Sequence, residues 1–280
     1  MTRYRAVIAY EGSAFQGFQR LRGTAAAPSV QGALEAALTA LAGQPVPILA
    51  AGRTDRGVHA SGQVIAFDLA WPHSESALQN ALNAALPDSI AVLQLSRAAA
   101  DFHPRYQALA RTYEYRIYLS QVRHPLLARY AWRVSLPCEL DLMNSAASRL
   151  IGRHNFASFG TPPLGERGTT ERTVFAAEWR ALPAQYGIPC AAFRITADAF
   201  LHRMVRALVG SLVAVGQGKL SLAAFERAFR VAERGAIRHL APPHALTLVE
   251  VTFSETYTHS KQEDSRWSAE DEIQDLHTYP

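Results

Sequence analysis

Cysteine is scarce in this 280-residue sequence, which contains only Cys138 and Cys190. Neither thiol has another cysteine or a histidine nearby at metal-ligand spacing. The sequence therefore excludes a disulfide framework and gives no support to a structural zinc site. We expect two buried thiols and no bound metal.

Long hydrophobic runs are also absent from the sequence. No uninterrupted apolar stretch is long enough to cross a bilayer. Residues 1–4 lead directly into a strand pattern rather than into the apolar core of a signal peptide. We therefore expect a cytoplasmic protein without a membrane partner.

Lysine is nearly absent, whereas arginine is abundant. Lys219 and Lys261 are the only lysines among 28 basic side chains, so the other 26 are arginines. A guanidinium group matches phosphate with two parallel hydrogen bonds and stacks on bases, which an ammonium group cannot do. This preference favours a polyanionic partner such as nucleic acid. A GC-rich coding sequence explains it equally well, so composition leaves both explanations open.

Charge is unevenly distributed along the chain. Residues 255–280 carry seven acids against Lys261 and Arg266, a balance of −5, and the net charge of the whole chain is +4, so the remaining residues carry +9. A basic body of this kind is typical of proteins that bind nucleic acid. We expect the acidic, polar tail to be disordered and to contribute nothing to chemistry.

The order of the predicted elements indicates an α+β fold. Nearly half of the residues, 49%, are hydrophobic, which is enough for the core of one large domain or two ordinary ones. In the first hundred residues, periodicity predicts strands at 4–10, 46–52, 62–69 and 90–95 and helices at 30–41 and 74–86. A second series has strands at 112–119, 172–180, 191–197 and 246–253 and helices at 141–151, 201–215 and 221–233. We predict two related domains, residues 1–104 and 105–254, each a mainly antiparallel sheet with helices on one face.

Residues 51–60 hold the most informative motif of the chain, because Asp55 lies between Arg53 and Arg56 in a segment that also contains two glycines and His59. The motif connects two predicted strands, and such loops often carry catalytic residues on a rigid scaffold. Nearby guanidinium groups favour the ionised form of a carboxyl group, which makes Asp55 a candidate nucleophile or base. A tight turn with solvated arginines fits the same spacing, so the motif alone leaves both interpretations open.

Four further segments mix charged or aromatic side chains with small ones, at residues 10–19, 101–105, 111–115 and 200–206. Together with the Gly-Arg-Thr-Asp-x-Gly-Val-His core at residues 52–59, they resemble the tRNA pseudouridine synthase A family over roughly residues 4–253. The sequence departs from the family pattern at four positions, none of which removes a catalytic group. They are Phe18 for tryptophan, Arg56 and Pro104 for alanine, and Ala245 for glycine.

The resemblance implies the pseudouridine synthase fold, with two domains joined around a central basic cleft. It implies the isomerisation of uridine to pseudouridine at nucleotides 38, 39 and 40 of the tRNA anticodon stem-loop, without a cofactor. tRNA is then the partner, and the family leads us to expect a homodimer. Since a paired uridine is out of reach of any side chain, the base must flip out of the stem.

The resemblance also assigns roles to particular residues. Asp55 is the catalytic nucleophile, and whether it attacks the sugar or the base, or acts on the ribose as a base, stays open. Arg53 fills the space left by the flipped base or holds a phosphate. Tyr113 stacks on the flipped ring and offers its hydroxyl to move a proton at C5. Arg206 stands on an apolar helix, where an unpaired charge is costly, so we expect it to pair with Asp55. The substrate-binding candidates, besides Tyr113, are Arg56, His103, Arg105 and Arg203.

Three residues next to these motifs have weaker claims. We interpret His59 as a brace for the loop backbone and Tyr115 as a support for Tyr113. His202 receives little weight, because one turn of helix would simply expose it.

Two other functions fit parts of the sequence. A non-catalytic RNA-binding protein would keep the basic surface, but the intact Asp55, Arg53 and Tyr113 argue against it. A nucleic-acid glycosylase also flips a base and uses a carboxylate, but it would release the base to water. Metal-dependent hydrolysis is disfavoured, because no second carboxylate or histidine cluster accompanies Asp55 at ligand spacing.

Overall fold

The structure is a computed structural model that describes residues 1–20, 28–162, 169–233 and 239–254. The predicted acidic tail at 255–280 lies outside the described residues. The strands are β1 (Thr2–Tyr10), β2 (Leu49–Ala50), β3 (His59–Leu69), β4 (Ile90–Arg97), β5 (Ala108–Leu119), β6 (Trp132–Val134), β7 (Gly152–Asn155), β8 (Glu171–Gln185), β9 (Ile188–Ala197) and β10 (Leu246–Phe253). The helices are α1 (Val30–Ala42), α2 (Glu75–Ala85), α3 (Leu140–Ala147), α4 (Met204–Gly216) and α5 (Leu222–Val231).

One sheet runs through both halves of the sequence, in the order β4-β1-β3-β10-β5-β9-β8-β7, with β2 paired to β3 and β6 to β5. Its pairs are antiparallel except for β10 with β3 and β5 with β6. The last strand that the structure describes, β10, lies between β3 of the first half and β5 of the second half. The α+β class and the mainly antiparallel pairing are therefore confirmed.

Local sequence signals explain several element boundaries. The Ser29 side chain accepts a hydrogen bond from the backbone N–H of Gly32 and caps α1, and Gly43 ends that helix in the left-handed region with a φ of 69°. Helix α4 begins at Met204, three residues later than predicted, because Arg203 before it has a φ of 64°. None of the helices within the described ranges is long and apolar enough to cross a membrane.

Two hydrophobic clusters lie along the sheet. One is built from the first half and includes Ile8 and Leu34, together with Leu248 of β10. The other is built from the second half around Leu208, with Val58 from the first half. The boundary at residue 104 stays a prediction, since the sheet is continuous and each cluster takes residues from both sides of it. Both cysteine thiols are free and buried, as predicted.

Candidate active site

The loop that carries Asp55, residues 51–58, joins β2 to β3 at the middle of the sheet. At this point β10 brings the two halves together, because Leu248 lies opposite Ala60 of β3 on one side and opposite Tyr113 of β5 on the other. Register therefore places the predicted carboxylate and the predicted tyrosine near the same junction, although they are distant in the sequence.

Hydrogen bonds from the first half hold the Asp55 loop in place. The Thr54 hydroxyl lies 2.8 Å from the Tyr10 hydroxyl, and the Phe18 N–H donates to the Thr54 carbonyl over 3.1 Å. The loop closes on itself where the Val58 N–H donates to the Asp55 carbonyl over 3.2 Å. The position of Asp55 is thus set by backbone contacts on both sides of it.

His59 braces the end of this loop, as predicted from the sequence. Its Nδ1 accepts a hydrogen bond from the Gly12 N–H over 3.0 Å, and its Nε2 lies 2.9 Å from the His244 carbonyl. Because Nδ1 accepts from Gly12, Nε2 is the nitrogen that donates to the His244 carbonyl. The ring is buried and joins three separate segments.

The Asp55 carboxylate is held from two sides by residues at the start of α4. Arg206 Nη1 lies 3.1 Å from Oδ2, and His202 Nε2 lies 3.3 Å from Oδ1. The Arg206 side chain is only 13% exposed, and its Nε donates to the Ala241 carbonyl over 2.8 Å. A partly buried and oriented pair of this kind is stronger than a pair on the surface.

The two arginines next to Asp55 in the sequence do not make this contact. Arg53 and Arg56 are both exposed, and no ion pair among the described residues joins either of them to Asp55. The guanidinium group beside the carboxylate comes instead from Arg206, because the backbone at 53–56 turns both neighbouring side chains toward solvent. Our expectation that the flanking arginines stabilise the ionised carboxylate is thus corrected.

A cavity of about 940 Å³ opens beside the Asp55 loop. All predicted catalytic and substrate-binding residues line it except Arg56, which is not among the lining residues that the structure describes. The lining candidates are Asp55, Arg53, Tyr113, Arg206, His103, Arg105 and Arg203. The cavity therefore combines a carboxylate, aromatic rings and several guanidinium groups. Within the described ranges no group of three or more His, Cys, Asp or Glu side chains forms a possible metal site, and independence of metal stays a prediction.

Tyr113 forms an aromatic wall of this cavity. Its ring meets Phe200 edge to face at a centroid distance of 5.1 Å. Burial raises the pKa of Tyr113, and the nearby Tyr10 and Asp55 raise it further. The phenol therefore keeps its proton at neutral pH, so it offers a stacking face and a hydrogen-bond donor rather than a phenolate base.

Arg111 is a functional candidate that the sequence reasoning missed. Its guanidinium group donates to the carbonyls of Ala51, Arg105 and Asp198 over 3.0, 2.7 and 2.8 Å. It thereby ties the Asp55 loop to two other walls of the cavity, and burial lowers its pKa. The sequence did offer one signal for Arg111, which is a charged residue directly before the predicted strand at 112–119 and two positions before Tyr113. His202 also received too little weight in the interpretation of the sequence. The predicted helix at 201–215 placed it on an exposed face, whereas the residue precedes α4 and its ring reaches the Asp55 carboxylate.

Comparisons with known proteins give matches over most of the chain. The family model described as tRNA pseudouridine synthase matches residues 6–107 and 146–254. Three curated relatives named tRNA pseudouridine synthase A are each 38% identical and align over 90% of this chain. They come from Pseudothermotoga lettingae and Rhizobium meliloti, each covered over 100% of its length, and from Maricaulis maris, covered over 98%.

Among solved structures, the crystal structure of a Cbf5-Nop10-Gar1 complex aligns with 75% of this chain and 54% of that chain. Its TM-score of 0.29 and identity of 10% are too low to support an argument. The family model and the relatives covered over their full length are sufficient to assign the family. The chain belongs to the tRNA pseudouridine synthase A family.

Proposed function

We propose that this protein isomerises uridine to pseudouridine at positions 38, 39 and 40 of the tRNA anticodon stem-loop, with Asp55 as the catalytic nucleophile. One observation carries the proposal. In a chain of this family, the Asp55 carboxylate faces a basic cavity and is held by Arg206 over 3.1 Å. A carboxylate that is merely part of a tight turn would not need a guanidinium partner from a helix about 150 residues away.

The reaction exchanges one bond for another within the substrate. The bond from N1 of uracil to C1′ of ribose breaks, the uracil rotates, and a bond from C5 to C1′ forms. A proton leaves C5 and a proton is gained at N1, so the reaction needs no oxidant or reductant. Asp55 supplies the electron pair, at the sugar or at the base, while Arg206 and His202 orient its two oxygens. Tyr113 holds the detached ring by stacking and keeps its phenolic proton.

Basic residues at the cavity receive the RNA backbone. Flipping a base out of a stem costs a few kcal/mol, which contacts to the opened strand must offset. Arg53 is exposed and lines the cavity, so it is suited to fill the vacated space or to hold a phosphate. Arg105 and Arg203 line the same cavity and extend the positive surface. Arg56 lies outside it, and we assign it to phosphates farther along the strand.

The reaction is tested by incubating the purified protein with unmodified tRNA transcripts that carry a single uridine at position 38, 39 or 40. We expect pseudouridine at each of the three positions and no free uracil. Free uracil without pseudouridine would indicate a glycosylase instead. Tight binding without any change in the RNA would indicate a non-catalytic RNA-binding protein.

We further propose that the protein acts as a homodimer in the cytoplasm. A single chain offers a limited surface to an L-shaped tRNA, and a groove built by two subunits would extend it. The relatives named tRNA pseudouridine synthase A align over 90% of this chain, and tRNA is found in the cytoplasm. Light scattering of the purified protein should give twice the mass of one 30.6 kDa chain.

A further inference from the structure

Tyr106 is an aromatic residue exposed at the cavity that contains Asp55. Its side chain lines this cavity and is 76% exposed. An exposed ring at the edge of a basic cavity is open to contact with a ligand in that cavity. None of the roles assigned above to the cavity residues uses this ring.

The Tyr106 ring is held in a defined position. The His103 ring packs against it at a centroid distance of 4.3 Å and an angle of 37°, and the Arg105 guanidinium lies 5.8 Å from its centroid. The Gln107 N–H donates to the His103 carbonyl, which closes the turn that carries Tyr106. Arg111 donates to the Arg105 carbonyl and thereby fixes this turn to the Asp55 loop. We call Tyr106, with His103 and Arg105, the Tyr106 platform.

The cavity is large for a single nucleoside. Pockets that enclose a drug-sized ligand have volumes of about 300–1,000 Å³, and this one reaches about 940 Å³. One flipped uridine next to Asp55 and Tyr113 therefore leaves room for another part of the RNA. Proteins hold unpaired bases by stacking them on aromatic side chains next to guanidinium groups, which is the combination that the platform presents.

We propose that the Tyr106 platform is a second base-binding site, which stacks one further unpaired base of the same RNA strand outside the catalytic pocket. This inference rests on the proposed function, because it takes the ligand to be the tRNA anticodon arm. The Asp55 carboxylate is held by Arg206 and His202, neither of which belongs to the platform, so we assign the platform to binding rather than to the chemical step.

The test compares Tyr106→Ala and Tyr106→Phe with the wild type in tRNA binding and in single-turnover rate. Tyr106→Ala should weaken binding about 5- to 150-fold, the usual range for loss of one base–aromatic stack. Tyr106→Phe keeps the ring and should bind nearly as the wild type does. Tyr186→Ala is the matched control, because Tyr186 is also exposed and stacked on a histidine, His124, but does not line the cavity.

Abasic substitutions in the anticodon loop identify the base. One abasic tRNA should bind the wild-type protein more weakly, by the same factor as the Tyr106→Ala substitution. The same abasic tRNA should bind the Tyr106→Ala variant no more weakly than intact tRNA does. Equal binding of Tyr106→Ala and wild type, or additive effects of every abasic site, would overturn the proposal. Binding is measured without turnover, so these outcomes test the Tyr106 platform independently of catalysis. A wild-type protein that makes no pseudouridine would contradict only the proposed reaction.

Discussion

At the scale of single residues, the proposed chemistry depends on the pair of Asp55 and Arg206. The sequence predicted this pair from a charge on an apolar helix, and the distance of 3.1 Å agrees with it. The contact from His202 at 3.3 Å was not predicted, because it depends on the turn before α4 rather than on helical spacing. Arg111 was missed for a similar reason, since its partners are backbone carbonyls that no sequence motif marks.

Replacing Arg206 with lysine tests whether the guanidinium positions the carboxylate. Lysine keeps the charge but cannot donate to Asp55 and to the Ala241 carbonyl in the same fork geometry. A hydrogen bond to a charged group contributes ~1.5–3 kcal/mol, so the single-turnover rate should fall about 10- to 150-fold with tRNA affinity nearly unchanged. Arg227→Lys on the exposed side of α5 serves as the control. Weaker tRNA binding with a normal rate would assign Arg206 to the RNA instead.

At the scale of elements, close backbone contacts position the Asp55 loop. A Cβ atom added at Gly12 would lie 2.0 Å from the Val58 carbonyl oxygen, whereas one added at Gly52 would meet nothing within 4 Å. The contact at Gly12 joins the segment after β1 to the end of the Asp55 loop. Both glycines belong to motifs found in the sequence, but only the structure distinguishes their roles.

Gly12→Ala and Gly52→Ala form a matched pair for this contact. Gly12→Ala should lower the free energy of unfolding by ~1–3 kcal/mol or more and reduce the rate, because the backbone carbonyl at Val58 must move. Gly52→Ala should leave both nearly unchanged. Urea unfolding and single-turnover rates give the two readouts. A Gly12→Ala protein with wild-type stability and rate would show that the close contact between Gly12 and the Val58 carbonyl does not hold the Asp55 loop.

Element boundaries show which local signals are reliable. The bounds of helix α1 were predicted well, because its serine cap and its terminal glycine act on residues close to them in the sequence. The strand predicted at 46–52 is reduced to Leu49–Ala50, since only these residues pair with β3. The β3 strand begins at His59, three residues before the predicted start, because parallel pairing with β10 extends it. These differences come from partners that are distant in the sequence.

At the scale of the whole molecule, one sheet unites both halves at the site. The parallel pairing of β3 with β10 involves residues nearly 190 positions apart, such as His59 and Thr247. Nonlocal pairing of this kind is not encoded by periodicity, so the sequence predicted two sheets rather than a shared one. The α+β class could still be predicted, because it depends only on the kinds of element present.

Three tyrosines near this junction, of which Tyr10 and Tyr115 are buried and Tyr113 is partly buried, predict the response of the protein to alkali. Burial raises the pKa of Tyr10 to about 12 and raises those of Tyr113 and Tyr115 above their ordinary value of 10. The unfolded chain therefore releases protons above pH 10 that the folded chain retains. The contribution of these groups to stability is complete below pH 10 and is lost as pH rises through the folded pKa values.

Urea unfolding between pH 9 and 12 checks this prediction. The free energy of unfolding should fall above about pH 10, and it should fall less steeply in Tyr113→Phe than in the wild type. Tyr186→Phe, at an exposed ring, is the control. An identical decline in Tyr113→Phe and wild type would contradict the burial of this phenol.

The most direct test of the account is the single-turnover rate of Asp55→Asn on an unmodified tRNA transcript, with Asp88→Asn as the exposed control. Asparagine keeps the shape of the side chain but removes the negative charge that the proposed reaction requires of Asp55. We predict a loss of about 10⁴-fold or more in pseudouridine formation, with tRNA binding largely preserved and Asp88→Asn active. Pseudouridine formation by Asp55→Asn at the wild-type rate would contradict the account.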